Sequence, residues 1–220
     1  MAHKGQMSDS MRTATFLILS GGFQDAYTYC CRGAVFANAQ TGNVVLMSAN
    51  FFEGRLAAGL KYLIPLAAFL LGTAAAEGVR LHRQRCERLH WRQIVLLAEM
   101  ALLMAVGLLP QHLNALANAL VSFVCAMQVQ AFHKVRGYAY ASTMCIGNMR
   151  SGMEALYGYF HGGDRALARK AGVYFAVIAV FAVGAGIGSV VTRALGERAI
   201  WVSCALLAVA FALMCRREAE

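Results

Sequence analysis

Of the 220 residues, 59% are hydrophobic and only 14% are charged, and the mean hydropathy is +0.54. Soluble domains carry about 25% charged residues, so this composition excludes a water-soluble enzyme or binding module and points to a membrane protein. The formal net charge of +9 does not argue for nucleic acid: the basic residues sit in short loops with no interleaved aromatics, the pattern of the positive-inside rule.

In chain order, the polar start MAHKGQMSDSMR lacks the pattern of a cleaved secretion signal, so the first apolar stretch is expected to be retained. Apolar runs of about the spanning length, roughly 20 residues for about 30 Å of hydrocarbon, cover 13–31, 60–79, 93–110, 114–132, 171–192 and 199–215. No Pro- or Ser-rich linker divides the chain, which reads as one membrane domain over 1–220.

Between the first two runs lies FANAQTGNVVLM, residues 36–47, where Asn38, Gln40, Thr41 and Asn43 surround Gly42. Non-helical backbone at membrane depth is tolerated only when buried in protein or facing water. A break is therefore expected at Gly42 and, in the second half, at Gly147. Thr41, Asn43 and Asn148 would cap the helices that follow, with the positive helix ends aimed at the bilayer middle, where they would favour an anion or a carbonyl group. The plainer reading is a turn between two short helices.

The second copy follows from self-similarity. Asp25-Ala26-Tyr27 overlies Gln130-Ala131-Phe132, Arg32-Gly33 overlies Arg136-Gly137, Thr41-Gly42-Asn43 overlies Ile146-Gly147-Asn148, and Phe69-Leu70-Leu71-Gly72 answers Phe181-Ala182-Val183-Gly184. Trp91 and Trp201 each begin a span, 110 residues apart. The expected fold is an all-α polytopic membrane protein with six transmembrane helices and two re-entrant or broken half-helix segments. Its repeats, 13–110 and 114–215, would be inverted.

If segments 34–52 and 138–160 instead cross the membrane, eight spans in a parallel repeat result. The charges favour inversion. Fourteen basic residues (Lys4, Arg12, Arg80, Arg83, Arg85, Arg88, Arg92, Lys134, Arg136, Arg165, Arg169, Lys170, Arg216, Arg217) fall inside against five outside (Arg32, Arg55, Lys61, Arg193, Arg198), with Arg150 within a broken segment. Both termini are then cytoplasmic.

Three carboxylates, Asp25, Glu77 and Glu99, fall within spans, where a charge costs at least about 2.5–3.5 kcal/mol. Asp25 lies roughly 18 Å along its helix at 1.5 Å per residue and reads as a proton or cation site or as a hydrogen-bond hub. Glu77 can pair with Arg80, and Glu99 has no charged neighbour in sequence. Arg150 can pair with Glu154 or hold an anionic substrate. Asn114, Asn118, Ser122, Gln128 and Gln130 form a polar stripe suited to a cavity wall or to helix–helix hydrogen bonds.

Gly184, Gly186 and Gly188 sit inside an apolar run, which suits close helix packing rather than a nucleotide loop. The cysteines at 30, 31, 86, 125, 145, 204 and 215 form no CxxC pair and read as small packing residues. No GxSxG, HExxH, paired catalytic carboxylates or Walker loop is present, so neither enzyme, metal nor cofactor is expected.

Gly22-Phe23-Gln24-Asp25-Ala26, Phe36 to Asn43, Phe69 to Gly72, and Ala126-Met127-Gln128 with Gly147 together resemble the YoaK-like family of small bacterial integral membrane proteins, a domain of unknown function, over nearly the whole chain. The second half departs from the family pattern. Met-Gln-Asn-Ala and Thr-Gly-Thr there correspond here to Gln128-Val129-Gln130-Ala131 and Ile146-Gly147-Asn148. The resemblance implies a polytopic inner-membrane protein, with transport among its implied activities and no settled substrate.

The expected function is a transporter of a small polar solute or ion in the bacterial inner membrane. Asp25, Asn38, Gln40, Thr41, Gly42, Asn43, Gln128, Gln130, Gly147, Asn148 and Arg150 would bind substrate, and Asp25 and Glu99 would bind the coupling ion. A passive channel and a non-transporting scaffold or sensor are the alternatives. The expected partners are the lipid bilayer, the solute and a second copy in a homodimer, with no nucleic acid.

Overall fold

A computed structural model describes residues 9–83 and 90–215. Lys4, Arg85, Cys86, Arg88, Arg216 and Arg217, and the side chain of Arg83, lie outside the described residues. The helices are α1 (Met11–Cys31), α2 (Gln40–Phe52), α3 (Leu56–Arg83), α4 (Trp91–Val106), α5 (Asn114–Ala131), α6 (Cys145–Gly162), α7 (Arg165–Leu195) and α8 (Ile200–Cys215). The six apolar runs read from the sequence correspond to α1, α3, α4, α5, α7 and α8, and the two polar-rich segments contain α2 and α6.

Local chemistry sets several helix starts. Ser10 accepts from the Thr13 N–H ahead of α1, Asp164 accepts from the Ala166 N–H ahead of α7, and His90 with Gln93 forms a reciprocal capping box at α4. Among the described residues, three stretches, Leu56–His82, Gln111–Ala131 and Arg165–Cys215, are long and apolar enough to cross a membrane. The outer surface of α3 and α7 is correspondingly greasy, with Leu56, Leu60, Leu70, Leu71, Val183, Ile187 and Val190 exposed. The 16 residues of α4 fall short of that length, and α1 carries buried Ser20, Gln24, Asp25 and Thr28.

The packing is exchanged between the two halves of the chain. Helix α1 lies against α7 and α8, α5 lies against α3 and α4, and α4 meets α8. Glycines allow the closest approaches: a Cβ at Gly72 would strike the Phe123 carbonyl on α5, and one at Gly184 would strike the Leu19 carbonyl on α1. A Cβ at Gly188 would lie 2.9 Å from the Phe23 Cα on α1, whereas one at Gly186 would meet none of the described residues within 4 Å. Small-residue packing is thus the role of Gly184 and Gly188, one turn apart, and not of Gly186.

A core of Leu17, Phe23, Tyr27, Leu96, Leu103, Val121, Val124, Ile200 and Leu207 fills the centre. Arg32, just past α1, is also fully buried. Its guanidinium donates to the Val106 and Leu109 carbonyls at the end of α4 (2.9 Å each), to Asn114 Oδ1 (3.1 Å) and to the Tyr27 hydroxyl (2.8 Å). A cation suits the negative end of a helix, so this residue, read from the sequence as an outer-loop charge, clasps three helices.

The chain reverses after α1 and again after α5 through left-handed backbone. Gly33 (φ 85°) and Ala34 (φ 57°) make the first reversal, and Arg136 (φ 49°) and Gly137 (φ 82°) make the second. The second is a two-residue hairpin between β1 (Lys134–Val135) and β2 (Tyr138–Ala139), paired Lys134 with Ala139 and Val135 with Tyr138. The Arg136 N–H donates to the Asp9 carbonyl, and the Tyr174 hydroxyl donates to the Ala139 carbonyl, which fixes the hairpin to α1 and α7.

Candidate functional site

The site is organised by one turn of α1. Ser20 and Gln24 share one side of the helix, Gly21 and Asp25 another, each pair four residues apart. All four are buried. From the first side, Gln24 Nε2 donates to Ser20 Oγ (2.9 Å), Ser203 Oγ (3.0 Å) and Glu99 Oε1 (3.2 Å), while Gln24 Oε1 accepts from the Cys125 thiol at 2.6 Å. Ser20 and Ser203 are also paired, at 2.6 Å. One glutamine therefore joins α1, α4, α5 and α8.

From the other side, Asp25 Oδ1 accepts from the Asn38 N–H at 2.7 Å, and the Ala37 and Ala39 N–H groups face the same carboxylate. The Asn38 amide donates to the Gly21 carbonyl at 3.3 Å. Asp25 thereby binds the non-helical residues that precede α2, and its charge meets the free N–H groups of that helix start. The anion or carbonyl expected at this helix end is the protein's own carboxylate.

The polar residues after Asn38 satisfy the interrupted backbone. Asn43 Nδ2 donates to the Phe36 carbonyl (2.8 Å) and to Gln40 Oε1 (3.0 Å), Asn43 Oδ1 accepts from the Phe36 N–H (3.3 Å), and Gln40 Nε2 donates to the Ala37 carbonyl (2.7 Å). In the second half, Asn148 Nδ2 donates to the Ala141 carbonyl at 2.8 Å, across the same seven-residue interval. The breaks therefore fall just before α2 and α6. Gly42 and Gly147, expected at the breaks, are the third residues of those helices. The expected caps are also corrected: Ala39 and Met144 hold the N-cap positions without a side-chain bond, because Asn43 and Asn148 reach backward instead of forward.

The bodies of α2 and α6 pack on α3 and α7 respectively. It is the non-helical residues before them that converge on α1. While Asn38 bonds the Gly21 carbonyl, a Cβ at Gly21 would lie 2.7 Å from Thr143 Cγ2 and 3.8 Å from Gln128 Nε2. Gln128 donates to the Leu17 carbonyl (3.1 Å) and to Ser142 Oγ (3.3 Å). Of the residues singled out from the sequence, Asp25, Asn38, Gln128 and Glu99 surround this centre, Asn43 and Gln40 brace it, and Asn148 braces the second break.

Others lie elsewhere. Thr41 and Gly147 are exposed. Gln130 donates to Glu77, which also pairs with Arg80, so Gln130 is not the counterpart of Asp25 in the centre. Arg150 has 81% of its side chain exposed and bonds Glu154 at 2.8 Å, away from the centre. Gln24, Cys125, Ser203, Ser142 and Thr143 were missed. The four-residue spacing of Ser20 and Gln24, and the place of Gln24 in the Gly22-Phe23-Gln24-Asp25-Ala26 stretch, are the sequence signals for the first of them.

No curated protein and no solved structure matches the chain. The model of the family described as "Protein of unknown function (DUF1275)" matches residues 13–213, and the chain belongs to that family, as its resemblance to the YoaK-like proteins implied.

Proposed function

We propose that this chain is a multi-pass transporter of a small polar solute or ion in the bacterial inner membrane, not an enzyme, with its site at the Gly21–Asp25 turn. The observation that carries this reading is a pair of buried polar clusters on one turn of α1. Glu99, Cys125, Ser20 and Ser203 bond Gln24 on one side, and Asn38 bonds Asp25 and the Gly21 carbonyl on the other, where both non-helical segments reach the helix. Carboxylates within spans are costly and mark ion or proton paths. Glu99, fully buried with Gln24 as its bonded partner through Oε1, is the proton-carrying group. Asp25 is the latch: neutralising it weakens its bonds to the N–H groups at 37–39 and frees the first broken segment from α1.

The architecture proposed for this task is the inverted repeat over 13–110 and 114–215. Its support is the exchanged packing of the halves and the matched Gly72 and Gly184 contacts. The 13 residues of α2 reach only about 20 Å at 1.5 Å per residue, which suits a re-entrant segment better than a crossing. Both termini are then cytoplasmic, and the greasy exposed faces of α2 and α6 leave room for a homodimer.

The test is reconstitution into proteoliposomes with an imposed proton gradient and a panel of small polar solutes. Uptake that follows the gradient, and that is lost in Asp25→Asn and Glu99→Gln, is the expected result. Gradient-independent flux indifferent to Asp25→Asn would establish a passive channel. No flux, and no solute that shifts thermal stability, would establish a scaffold or sensor.

A further inference from the structure

Among the described residues, two amide oxygens at the centre have no partner. Asn38 Oδ1 and Gln128 Oε1 are buried without a hydrogen bond, on residues only 6% and 1% exposed. Their orientations are set by the other end of each amide. The Asn38 NH2 donates to the Gly21 carbonyl, and the Gln128 NH2 donates to the Leu17 carbonyl and Ser142 Oγ. Turning either amide over would set oxygen against oxygen, so both amide oxygens face away from the Gly21 and Leu17 carbonyls. A buried acceptor left empty costs about 1–3 kcal/mol, which makes a pair of them beside one turn of α1 an unusual thing to retain.

We propose that Asn38 Oδ1 and Gln128 Oε1 form a binding site for a small monovalent cation, an alkali ion or ammonium, at the junction of the two broken segments. This deepens the transport reading and rests on it for its location. Oxygen-only ligands select hard cations or N–H donors. The Asn38 N–H and the neighbouring Asp25 carboxylate are joined at 2.7 Å, so the negative charge sits one residue from the amide oxygen and favours a cation over a neutral donor. One carboxylate, already met by the N–H groups of residues 37–39, leaves a field suited to a single positive charge. Divalent ions usually require several carboxylates or a full water shell. The site also joins the halves, because Asn38 belongs to the first break and Gln128 lies on α5 and bonds Ser142 of the second.

The experiment measures the thermal midpoint of the purified full-length protein in detergent against NaCl, KCl and NH4Cl, with choline chloride at equal ionic strength as reference. At about ten times the half-saturating concentration, at least one of the three salts is expected to raise the midpoint by about 3–5 °C over choline. Gln128→Ala should raise the half-saturating concentration at least tenfold, and Gln128→Glu, which keeps an acceptor oxygen and adds charge, should lower it. Size-exclusion profiles matching the parent establish that both variants fold. Equal midpoints in all four salts overturn the site, leaving water as its occupant, as does a parental half-saturation in Gln128→Glu. Cation-dependent stabilisation without solute flux in liposomes would keep this site and refute transport. Solute flux identical in choline and alkali salts would do the reverse.

Discussion

Gly184→Ala and Gly186→Ala, two residues apart on α7, should shift stability in opposite directions. At 184 the new methyl would lie inside contact distance of the Leu19 carbonyl oxygen and 2.9 Å from Leu19 Cα, with no flexible side-chain tip to give way. Restoring ordinary contact near 3.4–4 Å requires α1 and α7 to separate by on the order of 1 Å. Overpacking of this kind costs about 1–3 kcal/mol, offset by the roughly 1 kcal/mol that alanine gains over glycine in a helix. The net loss is up to about 2 kcal/mol.

At 186 the methyl meets nothing within 4 Å, so the propensity gain stands alone at about 0.5–1 kcal/mol. With about 2–4 °C per kcal/mol for a chain of this size, thermal unfolding in detergent should place Gly184→Ala several degrees below Gly186→Ala, with the parent between them. Two variants that move together, in either direction, would refute the described α1–α7 contact.

Gly72→Ala, whose Cβ would strike the Phe123 carbonyl and lie 3.0 Å from Ala126 Cβ, should destabilise by a similar amount in the same assay. Arg32→Lys replaces a fork serving four acceptors with a single ammonium and strands carbonyls at the end of α4; a loss of about 3 kcal/mol is expected, whereas Arg150→Lys on the exposed face of α6 should give no measurable change. Asn43→Ala leaves both polar groups of Phe36 unpaired and should cost about 2 kcal/mol together with transport activity, while Thr41→Ala, at an exposed position, should alter neither. In a background without reactive native thiols, Glu53→Cys should label with membrane-impermeant maleimide from outside whole cells and Gly162→Cys only after lysis. Labelling of both only after lysis is the eight-span outcome and would overturn the inverted arrangement.

The helices were legible because apolar runs long enough for lipid are a property of consecutive residues, independent of what they pack against. Asp25 and Glu99 stood out for the same reason, as charges inside such runs. The polar cluster around Gly42 is also visible in the sequence, but its role is not: a cap and a backward brace use the same asparagine, and only the path of the chain at 33–39 decides which backbone groups lie within reach of Asn43.

What the amino-acid order determined by itself is therefore a helical chain of membrane character, interrupted twice, with carboxylates in its spans. The tertiary structure decided that Arg32 is an internal clasp, that Arg150 is a surface residue, and that Gln24 links Glu99 to Cys125. These roles depend on contacts between residues some 70 to 100 positions apart in the chain. Local pattern cannot encode such contacts. They follow from which glycines let α1 and α5 approach α7 and α3, and so from the close fit of one half of the molecule against the other.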